Sequence, residues 1–330
     1  MTLLFESLVA FYIFATQILR MHKSRVNTWA HLSLLAANII YGLNYSIAKA
    51  VMPDHIKPFA LVSLRSISAA ALFWITSLFM PREPVNRKDL LFLFGCSFFG
   101  VVINQTLFLV GLDMTTPINS SIILSTNPIF AFVFAALILK ERITFLKGTG
   151  LAIGLSGVLL LILQNGTPDL ASATFLGDIY SMVNTISWAF YTVIIKRMLE
   201  KYHPVTVMKW TFLFGMLTNI PVGYHQWSTM DWSSIPLTAW LEIGFVIVGA
   251  TYLGYLFITF GLRRLSPTIV STYTYTQPII AAYLATLMGQ DHIDFVMIVA
   301  AFLIFAGVFV VSFQKKNNLA PETISLDTKR

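Results

Sequence analysis

A chain of 330 residues that is 56% apolar and only 11% charged, with a mean hydropathy of +0.74, has too little polar surface to coat a water-soluble globule. Its one cysteine, Cys96, excludes an internal disulfide, and its net charge of +7 is spread over short loops instead of forming a patch for nucleic acid. An all-α integral membrane protein is the class that remains, because lipid offers no partner to unpaired backbone groups.

In chain order, residues 1–27 form an N-terminal extension whose apolar run is short for a span and is followed, not preceded, by Arg20, Lys23 and Arg25. That order does not fit a signal peptide, and an over-long start or a surface-lying helix is expected in preference to an eleventh span. About 20 mostly apolar residues cross the hydrocarbon core. Ten such stretches follow, near 29–49, 57–80, 90–111, 115–139, 145–164, 175–195, 203–222, 237–261, 266–289 and 293–313. Residues 314–330 are polar and read as a cytoplasmic tail.

Lys and Arg alternate along this series. Eighteen of the 22 fall in every second loop or at the termini, whereas the opposite loops hold only Lys49 and Lys57. Positive charge near span ends is retained in the cytoplasm, so both termini are expected there. The chain also repeats itself. Shifted by 150 positions, residues 111–162 match residues 261–312 at 14 of 52 positions without a gap, including Gly111, Pro117, Pro128 and Gly157 on Gly261, Pro267, Pro278 and Gly307. Tyr41 and Lys49 in span 1 stand where Trp188 and Lys196 stand in span 6. Five spans per copy is an odd number, so the second copy enters the membrane upside down. The expected fold is ten transmembrane helices arranged as two inverted five-helix repeats, 28–164 and 165–313.

Arg65 stands nine residues into span 2, about 13 Å along a helix that rises 1.5 Å per residue. A charge at that depth is costly and marks a functional position, and a planar guanidinium suits a carboxylate. Lys209, about 9 Å into span 7, is near enough to the span end to snorkel. Asn127-Pro128 and Gln277-Pro278 recur at matching places. Each proline frees a backbone carbonyl one turn earlier, so Pro128 and Pro278 are candidate hinges. Asn127 and Gln277, with Asn44, Asn104, Tyr191, Tyr252 and Tyr273, are candidates to line a substrate path beside Arg65. Glu242 is the one acid modestly inside a span and hence the candidate coupling residue.

Gly148, Gly150 and Gly154 carry a spacing near that of a dinucleotide loop, yet they open an apolar stretch with no strand before it and suit helix packing. No P-loop, HExxH, CxxC or serine elbow occurs. Neither a cofactor nor a metal is expected, and no enzyme constellation is present. Trp29, Trp227, Trp232 and Trp240 read as an interfacial belt.

The run Phe175-Leu-Gly-Asp178 through Trp188-Ala-Phe-Tyr191 to Lys196, with the paired blocks Pro117, Pro128, Lys140-Glu141, Gly157 and Pro267, Pro278, Gln290-Asp291, Gly307, resembles the EamA family of the drug/metabolite transporter superfamily over about residues 28–313. The chain departs from that pattern at Gly289-Gln290-Asp291, where the family often has Gly-Glu. The resemblance implies a permease with a central path for amino acids, other small metabolites or drugs. The expected partners are therefore a small-molecule substrate and the lipid bilayer, with a homo-oligomer left open. A multidrug exporter of cations should display an acidic binding residue, and the scarcity of buried acids counts against it. A nucleotide-sugar exporter of the same superfamily and a non-transporting membrane scaffold remain as alternatives.

Overall fold

The computed structural model describes residues 28–52, 54–139, 145–163 and 173–312, so the expected extension 1–27, the tail 314–330 and the Lys140-Glu141 block lie outside the described residues. The described residues are helical rods joined by short turns, with no strand among them. The rods are α1 Thr28–Val51, α2 Pro58–Leu78, α3 Arg87–Met114, α4 in two pieces (Pro117–Leu124 and Asn127–Leu139) and α5 Phe145–Leu163. They continue as α6 Ala173–Lys201, α7 Pro204–Thr229 and α8 Leu237–Arg264. Then come α9, split into Pro267–Thr272 and Thr276–Leu287, and α10 Phe295–Ser312. Six rods, α1, α2, α3, α4, α7 and α8, are long and apolar enough to cross a membrane. The long α6 is more polar because it turns Asp178, Ser181, Asn184, Thr185 and Ser187 into the protein interior.

Local chemistry explains the boundaries. Pro58, Pro117, Pro204 and Pro267 each occupy the first turn of a helix, where the missing N–H costs nothing. The side chains of Asn86, Thr116, His203 and Ser266 accept backbone N–H groups at their N-termini. Two rods end six or more residues beyond the limits read from the sequence. α6 continues as a polar turn through Lys201, which pairs with Asp89. α7 passes through Pro221 to Thr229, since a proline inside a membrane helix is tolerated where neighbours re-satisfy the freed carbonyl.

Polarity is arranged inside out. Phe79 is 85% and Phe295 78% exposed, while Asn38, Ser46 and Asn219 are fully buried. Water would not tolerate so apolar an exterior; lipid does.

The two copies are visible as reciprocal contacts between rods that correspond in sequence. Phe73 stacks on Phe212 with centroids 5.3 Å apart, and Asn219 donates to Ser66 Oγ at 2.7 Å. A shift of 146 residues turns either contact into the other. Between α5 and α10 the close pairs are Gly154 with Gly307 and Gly157 with Ile304, which exchange under the shift of 150. A Cβ on Gly307 would run into the backbone of Gly154, so only glycine permits that crossing. In both rod pairs the later residues of one rod meet the earlier residues of the other, which makes the partners antiparallel. The first piece of α4 likewise packs on the second piece of α9, and the reverse.

The lysines singled out by the repeat do the same work in each copy. Lys49 Nζ donates to the carbonyls of Leu112, Asp113 and Thr115 at 2.7–3.0 Å, and Lys196 Nζ to those of Leu262 and Arg263 at 2.7 and 3.2 Å. Each lysine thus caps the C-terminus of the corresponding rod, α3 or α8. Lys49 does so at the upper end of the bundle, where the amide oxygen of Gln226 in the last turn of α7 accepts from Phe59 N at 2.9 Å. Lys196 lies at the lower end, where Tyr202 and Glu83 tie α6 and α7 to the start of α3. One apolar cluster, with Leu34, Phe73, Tyr191, Phe212 and Leu262, fills the lower half. A second, with Tyr45, Leu61, Leu109 and Ile243, fills the upper.

Candidate functional site

Between these two clusters lies a partly open cavity of about 60 Å³, bounded by Tyr41, Asn44, Tyr45, Arg65, Asn104, Phe108, Leu124, Asn184, Trp188, Tyr255 and Gln277. It exists because bulky aromatic walls meet at angles that leave room. Tyr41 and Trp188, equivalent residues of the two copies, pack edge-to-face at 6.5 Å, Trp188 meets Tyr255 at 5.3 Å, and Tyr45 meets Phe108 at 5.3 Å.

Two π-helical stretches shape the polar part, Phe98–Ile103 in α3 and Phe245–Leu253 in α8, at corresponding places in the copies. A π-helical turn spaces its hydrogen bonds one residue wider and leaves carbonyls open to side chains. The Gly100 carbonyl accepts from the Tyr255 hydroxyl at 2.7 Å, and the Val246 carbonyl from the Thr251 hydroxyl at 2.7 Å. With its proton committed to Val246, the Thr251 oxygen accepts from Arg65 Nε at 2.8 Å. Arg65, only 3% exposed, is held by that bond and by the Phe108 ring, whose centroid lies 5.9 Å from Cζ.

One guanidinium nitrogen of Arg65, Nη1, is buried with no hydrogen-bond partner. The ion pairs among the described residues are Lys196–Glu200 and Lys201–Asp89, and no carboxylate lines the cavity. A positive charge therefore faces the cavity unneutralised. Around it stand further buried atoms without partners: the Tyr41 hydroxyl, Asn44 Oδ1 and Gln277 Oε1. Two other rim amides are paired, Asn104 Nδ2 to Asn184 Oδ1 at 2.5 Å and Gln277 Nε2 to Asn38 Oδ1 at 2.6 Å. Orphaned polar atoms in a low-dielectric site are costly unless a ligand or water satisfies them.

A smaller cavity adjoins it, with Tyr41, Trp188 and Gln277 shared and Asn38, Asn127, Thr192, Ile258, Val270, Ser271 and Thr274 added. Asn127 Oδ1 is also buried without a partner.

Of the residues expected to line a path, Arg65, Asn44, Asn104 and Gln277 come together in the larger cavity and Asn127 joins Gln277 in the smaller. Tyr191, Tyr252 and Tyr273 line neither. Tyr191 is fully buried against Trp188, the Tyr252 hydroxyl pairs with Thr76 Oγ1 at 2.6 Å, and the Tyr273 hydroxyl pairs with His31 Nδ1 at 2.6 Å. Pro128 and Pro278 sit at the starts of the second pieces of α4 and α9, beside Asn127 and Gln277. Glu242 is half-buried near the start of α8 and lines neither cavity. The Lys209 ammonium lies 5.1 Å from the Trp74 ring centroid.

Sequence reasoning did not assign Tyr41, Phe108, Asn184 or Trp188 to the path. Tyr41 and Trp188 carried a signal all the same. Residues that occupy equivalent positions and are both aromatic are candidates to meet where the two copies face each other.

Residues 28–163 and 175–313 each match the EamA-like transporter family. Similar proteins include the uncharacterized transporter YyaM of Bacillus subtilis, 25% identical over 86% of this chain and 93% of its own length. An uncharacterized transporter of Archaeoglobus fulgidus is 24% identical over 78% and 89%. The uncharacterized inner membrane transporter YedA of Escherichia coli is 23% identical over 86% and 90%. A solved crystal structure shares the fold with a TM-score of 0.62 at 17% identity, covering 87% of this chain and 98% of its own. With both copies matched over most of their length, the chain belongs to the EamA-like transporter family.

Proposed function

We propose that this membrane transporter is a secondary permease that carries a small carboxylate-bearing metabolite, such as an amino acid, by alternating access. In this reading ten spans form two inverted five-helix repeats, 28–164 and 165–313, and the repeats rock about the cavity between them. The antiparallel pairing of α2 with α7 and of α5 with α10 supports the inversion. The lower end, which carries Arg82, Arg87, Lys88, Lys196, Arg197, Lys201, Arg263 and Arg264, is the cytoplasmic one, against Lys49 and Lys57 at the upper end.

The observation that carries the cargo class is Arg65, a buried guanidinium with an unpaired N–H, no counter-charge and a fixed orientation. Such a group attracts an anion, and a planar carboxylate fits it best. A cavity with a positive charge and no acid repels organic cations, which disfavours a multidrug exporter of that kind. The unpaired cavity atoms also set the protein apart from a scaffold, which would have no use for them.

The test is uptake of labelled amino acids, sugars and nucleosides into proteoliposomes, with and without a proton gradient. Carboxylates should be transported, and Arg65→Ala should cut their uptake by about 100-fold, the worth of one desolvated charge-assisted contact. Arg65→Lys should fall between, because an ammonium cannot make the bidentate contact. Uptake unchanged in both variants would remove Arg65 from the path, and inactivity toward every compound in folded protein would favour the scaffold.

A further inference from the structure

The smaller cavity is more than an annex of the larger. Under the residue shifts that relate the two copies, six residues around the larger cavity map onto residues around the smaller one. Tyr41 and Trp188 exchange with each other, Tyr45 maps to Thr192, Phe108 to Ile258, Leu124 to Thr274 and Gln277 to Asn127. The smaller cavity is thus the counterpart of the larger under the same operation that exchanges the Phe73–Phe212 and Ser66–Asn219 contacts.

Their positions along the rods agree. Asn44 and Tyr45 lie on the upper side of Tyr41 in α1, and Asn38 lies on its lower side; Asn184 and Thr192 flank Trp188 in α6 in the opposite sequence order. Tyr41, Trp188 and Gln277, common to both cavities, form a septum between an upper and a lower chamber.

The chambers differ in charge. Under the 146-residue shift Arg65 corresponds to Thr211, whose hydroxyl is turned back on its own helix to the Val207 carbonyl at 2.9 Å. Among the described residues no charged side chain lines the lower chamber. What it presents instead are hydroxyls and amides, with Asn127 Oδ1 and Gln277 Oε1 buried and unpaired. Such oxygens accept N–H or O–H groups, and a bare carboxylate offers them nothing.

We propose that the lower chamber, which in this conformation has room for about one water, widens as the repeats rock into a second, uncharged binding pocket for the transported molecule, occupied from the lower face through its N–H or O–H groups, as the Arg65 chamber is occupied from the upper face through its carboxylate. This rests on the transport reading above. It adds that the molecule carries a carboxylate and a hydrogen-bond donor, as amino and hydroxy acids do, and that the tighter-binding face is the upper one.

Access to the chambers can be read without knowing the cargo. In a Cys96→Ser background, the corresponding variants Leu124→Cys and Thr274→Cys are treated with a membrane-impermeant methanethiosulfonate in right-side-out and inside-out vesicles. Leu124→Cys should react from the upper face and Thr274→Cys from the lower face only. Adding Trp188→Ala opens the septum and should make Thr274→Cys reactive from the upper face as well. A mixture of amino and hydroxy acids should slow lower-face labelling of Thr274→Cys at least about threefold, whereas propionate, which has a carboxylate but no hydrogen-bond donor, should not. Equal reaction of Thr274→Cys from both faces with the septum intact, reaction from neither face in monodisperse protein, or equal protection by propionate would overturn the proposal. Failure of the transport reading shows separately, as absent carboxylate uptake in proteoliposomes whatever the labelling pattern.

Discussion

The two copies of the repeat agree where the fold needs them to and differ where a ligand would touch them. Lys49 and Lys196 cap equivalent carbonyls, Thr116 and Ser266 cap equivalent helices, and Gly157 and Gly307 occupy equivalent crossings. Around the cavities the equivalence lapses: Arg65 faces Thr211, Asn104 faces Gly254 and Gln105 faces Tyr255 across the shifts. The Gln105 amide even donates to its own counterpart, the Tyr255 hydroxyl, at 3.4 Å. A duplicated bundle keeps its packing symmetric because each glycine or cap serves the same backbone geometry twice. The site has no such constraint, since a substrate is not symmetric.

This contrast can be tested from the packing side first. Gly307→Leu should be the most damaging single change, because its side chain would run into the Gly154 backbone. The expected cost is about 3 kcal/mol, seen as a lower melting temperature in detergent, and Gly157→Leu at the equivalent crossing should cost about as much. If either is tolerated, the crossing is looser than described. The caps come next. Lys49→Met removes a charged donor from three carbonyls and should cost about 2 kcal/mol, while Lys196→Met removes two such bonds and should cost less. The same melting assay ranks them, and the reverse order would contradict the symmetry of roles.

On the site side the asymmetry should appear first in transport. Thr251→Val removes the acceptor that aims Arg65 and should raise the half-saturation concentration for a carboxylate about tenfold, with some loss of melting temperature as well because the buried Arg65 Nε is left without a partner. Thr211→Val, at the position equivalent to Arg65, should leave uptake unaltered. Equal transport defects from the two threonine variants would erase the distinction between the chambers.

Much of this was legible in the sequence, for identifiable reasons. Prolines at helix starts and glycines at crossings constrain the backbone wherever they occur, so Pro117, Pro267, Gly157 and Gly307 reported both the boundaries and the duplication. Arg65 was legible because a charge inside an apolar run has few structural excuses. The tyrosines were not. A hydroxyl within a span reads the same whether it faces a cavity or a neighbour, and Tyr191, Tyr252 and Tyr273 find Met208, Thr76 and His31. The π-helical stretches left no trace either, because a π-helical turn carries no residue signature of its own. The polarity of α6 concealed how deeply it is buried, since Asn184 and Asp178 face protein.

The central claim is that two oppositely directed copies span a bilayer with Arg65 in the cavity between them. Single cysteines at Asn86 and His203, at the lower end, and at Asp54 and Asp231, at the upper end, test it most directly in a Cys96→Ser background of intact cells treated with an impermeant maleimide. The account predicts that Asp54→Cys and Asp231→Cys are labelled from outside while Asn86→Cys and His203→Cys react only after the membrane is opened. Labelling of Asn86→Cys with Asp231→Cys from one face and of Asp54→Cys with His203→Cys from the other would mean that the copies point the same way, and would contradict it.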